Sequence, residues 1–320
     1  MSDSAYEGAA QPSPPKFAPT CPFDAADADV ILHTSDDVDF RLHRLVLSLA
    51  SSFFKDMFGL PQPNSEPEIP VIPVSESARS LDAALRFWYP GAQPIVSYGL
   101  DDLREIFEIL IMKYDIQFFV PAAQKQLLGF LHNPQNAVAV FSIACHLGWK
   151  DVAQQAAETS LKLPLRSFDA ASERPAQLKH MSADAYHSLL QYHSECAKVA
   201  AAVTSSLHWA NHADIPGIEC SNWTDPGACP RTLEHWGMAH STMAPLTAWF
   251  ADYLEGATEA LSKAPAARLD STELLRRPIT KMSTCSSCRV DGFPELMKFL
   301  GTMRSRIDFA IVYVELKLDF

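Results

Sequence analysis

Two groups of residues in this sequence have the types and spacing to do chemistry. Cys285-Ser286-Ser287-Cys288 is a CxxC with zinc-knuckle spacing, and Cys220 and Cys229 lie upstream in an irregular Pro/Asp/Cys-rich stretch over 211–232. Four thiolates could close a tetrahedral structural zinc site and staple a segment that has little core of its own. The gap of eight residues between Cys220 and Cys229 is wider than the roughly two to four common in such sites. On spacing alone, four unrelated cysteines with a chance CxxC is the preferred reading, and the expected cofactor is none. A thioredoxin-like redox role needs CxxC at a strand-to-helix turn, where the helix N-terminus lowers a thiol pKa. The preceding TELLRRPITKMST does not read as a central strand.

The second group is histidine. His208 and His212 stand four apart and could share a helix face, with His235 and His240 following. HWANH lacks the glutamate of HExxH, so a zinc protease fails for want of its general base. Surface histidines near a loop are the expected account. His193 falls on the apolar face of a long helical pattern and is expected to be a core histidine bonded to a neighbouring segment. Trp209, Trp223, Trp236 and Trp249 are expected to pack a small core, since no basic residues interleave with them as a base-stacking surface would require. No GxSxG, P-loop or Gly-rich dinucleotide turn is present, and the chain has only 12 glycines. The expectation is a protein with no catalytic residues. A metal- or thiol-dependent enzyme would require His208, His212 or the Cys288 region to converge in a cleft.

These residues sit in a chain of 320 residues that is 48% hydrophobic, enough to bury a sizeable core. A formal charge of -12 without any run of five basic residues argues against nucleic acid and anionic membrane as partners. The first 20 residues, MSDSAYEGAAQPSPPKFAPT, have no positive start and no apolar run, so they do not read as a secretory signal. The expected location is intracellular, cytoplasmic or nuclear. There the 7 cysteines are expected to be thiols or ligands rather than disulfides.

The elements that must position the groups follow from periodicity. Residues 1–26, rich in Pro, Ala, Ser and Gln, are expected to be disordered. Val30–His33 and Val38–Leu42 flank a polar Ser35-Asp36-Asp37 break, a hairpin signal. Two short helical pieces follow, Arg44–Ala50 and Phe53–Phe58, with Ser51 or Ser52 placed to cap the second. Ile69–Val74, with Pro70 and Pro73, reads as an edge strand because proline removes ladder donors. Helices are expected at Ala78–Tyr89, Asp102–Lys113 and Val120–Leu131. After Asn133 the strand signals vanish. A helical pair is expected around Val138 and Val152, a long helix from Ser182, and further helices at Met243–Ser262 and Phe293–Ala310.

The order of strand, strand, two short helices, edge strand and helices resembles the BTB/POZ family. DADVIL, FRLHRLVLSLASSFFKDMF, LRFWYPG and LREIFEILIMKYDI match its signature segments in order and spacing. The resemblance covers residues 27–132 and implies an α+β BTB/POZ domain there. A helical extension over 133–210 and a helical Cys-containing region over 211–320 would complete an all-α rear. The chain is similar in build to fungal proteins with one BTB domain.

The resemblance implies a non-enzymatic protein–protein interaction module: a homodimer, an adaptor for a cullin-type ubiquitin ligase, or a transcriptional co-regulator scaffold. Asp29 and Arg44 take the places of the family's paired acid and base, with His43 before the base. This trio is expected to fix register; the other reading is a charged groove for a partner peptide. Phe53, Phe54, Met57, Phe58, Leu81 and Tyr89 are the family-implied interaction surface. Two departures stand out. Residues 1–26 lack the helix and strand that exchanging dimers carry, and Leu81-Asp82-Ala83 lacks the glutamate of the cullin-binding element. A zinc-stapled structural or regulatory protein is the alternative function.

Overall fold

The computed structural model describes residues 17–60, 69–93, 98–164, 176–217, 220, 229–237 and 243–319. The chain divides into two compact units between Ala123 and Gln124.

In the first unit, β1 (Val30–His33) and β2 (Asp39–Leu42) form the expected antiparallel hairpin, with Val30 opposite Leu42 and Leu32 opposite Phe40. The turn closes on Asp37, whose φ of 60° is one an Asp side chain tolerates. Alternation places Val30, Leu32, Phe40 and Leu42 in the core. β3 (Val71–Pro73) adds parallel to β1 at the end of the sheet, the edge position its prolines require.

The chain turns from β2 directly into α1 (Arg44–Ala50). Ser51 ends that helix and starts α2 (Ser52–Gly59), its hydroxyl accepting from the Phe54 N–H at 3.2 Å. α3 (Ala78–Arg86) and α4 (Leu100–Phe107) pack together. The helix predicted to reach Lys113 does so by widening into a π-turn over Glu108–Lys113.

The N-terminal segment corrects one expectation. Residues 1–16 lie outside the described residues, but those from Phe17 onward are packed on the domain rather than disordered. Phe23 is completely buried, 5.9 Å from the Phe40 ring and 5.6 Å from the Tyr89 ring. The Arg41 N–H donates to the Phe23 carbonyl at 2.8 Å, and Asp24 bridges in parallel to Arg41. A single aromatic with a hole to fill orders a stretch whose composition argued against order.

α5 (Val120–Gly129) runs through the division between the units. The second unit contains α6 (Ala137–His146), closed by Gly148 at φ 72°, and its partner α7 (Lys150–Ser160). α8 (Ala183–Ser205) starts on Ser182, whose hydroxyl accepts from the Ala185 N–H. β4 (Arg231–Gly237) and β5 (Met243–Thr247) form an antiparallel ribbon. α9 (Ala248–Lys263), α10 (Thr272–Met282) and α11 (Cys288–Val312) complete the unit.

The rear is helical as expected, with the ribbon as an addition. The helix predicted from Met243 starts at Ala248 instead, because Pro245 has no N–H to give a helix interior and pairs in the ribbon opposite His235. The boundary expected at residues 210 and 211 is absent. α8 packs on both α9 and α11, so Ala200, Leu207, Trp249, Phe250, Phe299 and Ile307 belong to one core.

Candidate functional site

The strand-to-helix corner brings its three predicted residues together, though not as an ion pair. The Asp29 carboxylate accepts from the Arg44 backbone N–H at 2.6 Å, while the Asp29 N–H donates to Leu42 O at 3.1 Å. The Arg44 guanidinium lies over the Phe58 ring, 4.7 Å from its centroid. Asp29 thus satisfies one of the orphan N–H groups at the start of α1, and the register is fixed through the backbone.

His43 is bound to Tyr89. The Tyr89 hydroxyl accepts from the His43 N–H at 3.0 Å and lies 2.9 Å from its Nδ1. With an N–H already donating to the phenol oxygen, the phenol proton is free to donate to an unprotonated Nδ1. That tautomer leaves N–H at Nε2, which lies 3.4 Å from Asp27. Burial pushes the Tyr89 phenol above its ordinary pKa. The trio therefore ties hairpin to helices, Asp29 through the Arg44 N–H and His43 through the Tyr89 hydroxyl.

The expected interaction surface is split. Phe54, Leu81 and Tyr89 are buried, Phe54 being packed 4.8 Å from the Tyr114 ring. Met57 and Phe58 are half-buried, and Phe53 is exposed. The family pattern marks these positions equally, but a helix of about two turns has one inward face, and Phe54 takes it. Leu45 and Leu49 were missed as surface: they are 69% and 79% exposed, one turn apart on α1, while Leu47 between them is buried. Their spacing of four, with Leu47 out of phase, was the available signal.

The four cysteines are brought to one place. All four Sγ atoms lie within 4.8 Å of one another, Cys220 to Cys285 at 3.5 Å and Cys229 to Cys288 at 3.2 Å. This overturns the reading of unrelated cysteines; the wide gap between Cys220 and Cys229 does not stop both from reaching the turn between α10 and α11. Cys229, Cys285 and Cys288 are buried and Cys220 half-buried. Burial pushes the Cys288 thiol up to about 12 and raises Cys229 as well. Burial also acts to raise Cys285. Hydrogen bonds from the Cys288 N–H, the Cys229 and Cys220 thiols and the Ser287 N–H outweigh it and bring Cys285 down to about 7.

His208 and His212 are both exposed, and no grouping of metal-ligating side chains among the described residues includes either. The His235 side chain and His240 lie outside the described residues. His193 is buried with Nε2 3.2 Å from the Leu163 carbonyl, the core role expected of it. Trp249 is buried, and Trp209 stacks on Phe299 at 5.4 Å.

The small mixed sheet, the two-helix corner and the Asp29–Arg44 and His43–Tyr89 locks make a small α+β domain. A family model of the BTB/POZ domain matches residues 24–131, and this part of the chain is a BTB/POZ domain. Such domains are protein–protein interaction modules. The match begins next to Phe23, in keeping with its burial. No curated protein matches the chain. No helix among the described residues is long and apolar enough to cross a membrane.

Proposed function

We propose that the protein is a non-enzymatic interaction protein whose BTB/POZ domain pairs with a second copy of itself through the outer face of α1. The observation that carries this is the exposure of Leu45 and Leu49 on one helix face, with Phe53 43% exposed at the start of the next helix. Isolated exposed leucines are common, but a row of large apolar side chains on adjoining short helices marks an interface. An isologous pair needs one self-complementary patch, which a helix face offers readily.

Exchange of the N-terminal segment is not part of this reading, because Phe23 sits in the core of its own domain. A cullin-type adaptor role would need a different surface. The Leu81-Asp82-Ala83 element is buried, and Asp82 is held by Arg86 in a two-pronged ion pair at 2.6 and 3.0 Å.

Sedimentation of the full chain at micromolar concentration tests the pairing. A dimer that becomes a monomer in Leu45→Asp/Leu49→Asp, with unchanged circular dichroism, is expected. A wild-type monomer, or a double variant that still dimerises, ends the proposal.

A further inference from the structure

The four-cysteine cluster belongs to the second unit and has no part in the function proposed above. Its sulfur atoms come from three separate stretches of backbone. Cys220 follows Gly217, Cys229 precedes β4, and Cys285 and Cys288 flank the turn from α10 into α11. Zinc–thiolate bonds of about 2.3 Å in a tetrahedron put the sulfurs about 3.8 Å apart. The separations here, from 3.2 Å up to 4.8 Å, bracket that value. A disulfide instead needs sulfurs about 2.05 Å apart.

Among the described residues the donor set is all thiol, with no carboxylate or imidazole, which selects a soft or borderline ion; tetrahedral S4 geometry suits zinc or iron. The surroundings suit anionic sulfur. The Trp249 Nε1–H donates to Cys288 Sγ at 3.4 Å, and N–H groups of the CxxC turn point at Cys285. Gly217 allows the first segment to approach. A Cβ there would stand 2.9 Å from the Trp249 ring, and its φ of 70° suits only glycine well.

We propose that Cys220, Cys229, Cys285 and Cys288 bind one structural zinc ion that closes the core of the second unit. Binding forms four Zn–S bonds as the thiol protons leave to solvent, and no position is left open for a substrate. The metal is a staple between parts of the chain far apart in sequence. Without it, four sulfurs sit in a core with only weak S–H donors to offer one another.

The test uses the full chain, purified without chelator from zinc-supplemented culture. Elemental analysis should find about one zinc per chain, retained in Cys21→Ser and lost in Cys285→Ser/Cys288→Ser. Should the double variant not fold, cobalt substitution of the wild type serves instead; the charge-transfer and d–d bands of a tetrahedral sulfur site are expected. Chelation should then open the segments around Cys220, Cys229 and Cys285 to hydrogen exchange while leaving β1 and β2 protected. Denatured, unreduced protein treated with chelator should show all 7 cysteines as thiols. Stoichiometric iron, absence of zinc, or four cysteines locked in disulfides would each overturn the assignment.

Discussion

In the BTB/POZ unit, most of the residues that make the corner are near neighbours in sequence: Val30, Leu32, Phe40, Leu42 and Leu47 lie in its core, and Asp29 caps the helix that begins at Arg44. Tyr89 alone of the corner's partners reaches in from further along the chain, to His43. In the second unit the closing bonds join distant residues. Gly217 donates to Glu295 at 2.6 Å, Thr204 meets Thr258 at 2.7 Å, and Cys220 meets Cys285 at 3.5 Å. The first kind of core is specified by periodicity, because a strand and the helix after it present their apolar faces to one place. The second depends on which distant segments happen to meet, and its specificity rests on a few small or sulfur-bearing residues.

The sharpest challenge to this contrast is Phe23, the residue of the first unit that composition places outside it. Phe23→Ala removes a fully buried ring that touches Phe40 and Tyr89. A loss of about 3–5 kcal/mol in urea unfolding is expected, the range for truncating a buried aromatic. A loss below about 1 kcal/mol would mean that the first unit is complete without its N-terminal segment. The Arg86 guanidinium, 5.2 Å from the Phe23 ring and bound to Asp82, would then be the more important tie.

Gly217→Ala tests the second unit in the same way. The added methyl meets the Trp249 ring and the Thr247 side chain, and φ 70° is a conformation that alanine rarely adopts. The cost expected is about 1–3 kcal/mol, with faster hydrogen exchange around Cys220 and Cys285. Exchange that rises evenly along the chain instead would show that this close approach does not order the cysteine cluster.

The two regions differ equally in what could be read from sequence. The hairpin, the paired short helices, the edge strand and the Ser182 start of α8 all follow from alternation, capping residues and proline, which act within a few residues. The Asp29–Arg44 meeting was legible but its chemistry was not. A carboxylate near a helix start can pair with the arginine side chain or with the N–H, and only the path of the chain decides. Phe54, Leu81 and Tyr89 were legible as apolar and misplaced on the surface, since a motif records that a position is apolar without recording which way it faces. The four cysteines could be named as a set, but their sequence separation weighed against a cluster: spacing rules describe ligands supplied by one or two turns, and here three segments converge. The β5 half of the ribbon was masked by the helical pattern read from Met243, which Pro245 interrupts.

The smallest effect expected concerns His193, a residue on which sequence and structure agree. Burial holds its imidazole below the ordinary pKa of 6.5, with the bond to the Leu163 carbonyl acting the other way. The neutral ring is the form that folds. Above pH 6.5 neither state carries a proton here and the contribution to stability is complete. As pH falls below that value, the unfolded chain takes up a proton that the folded chain does not, so stability declines until the folded pKa is reached. The loss belongs to the second unit, where α8 holds the residue against the stretch after α7. His193→Gln keeps a donor for Leu163 without a titrating ring. Subtracting its pH profile from that of the wild type cancels groups such as His33, whose pKa is raised by its bond to Asp39 and which titrates the opposite way. A difference curve that stays flat below pH 6.5 would mean that His193 is solvated enough to titrate freely. The seam between α8 and that stretch would then be looser than the core that Trp249 and Phe299 build.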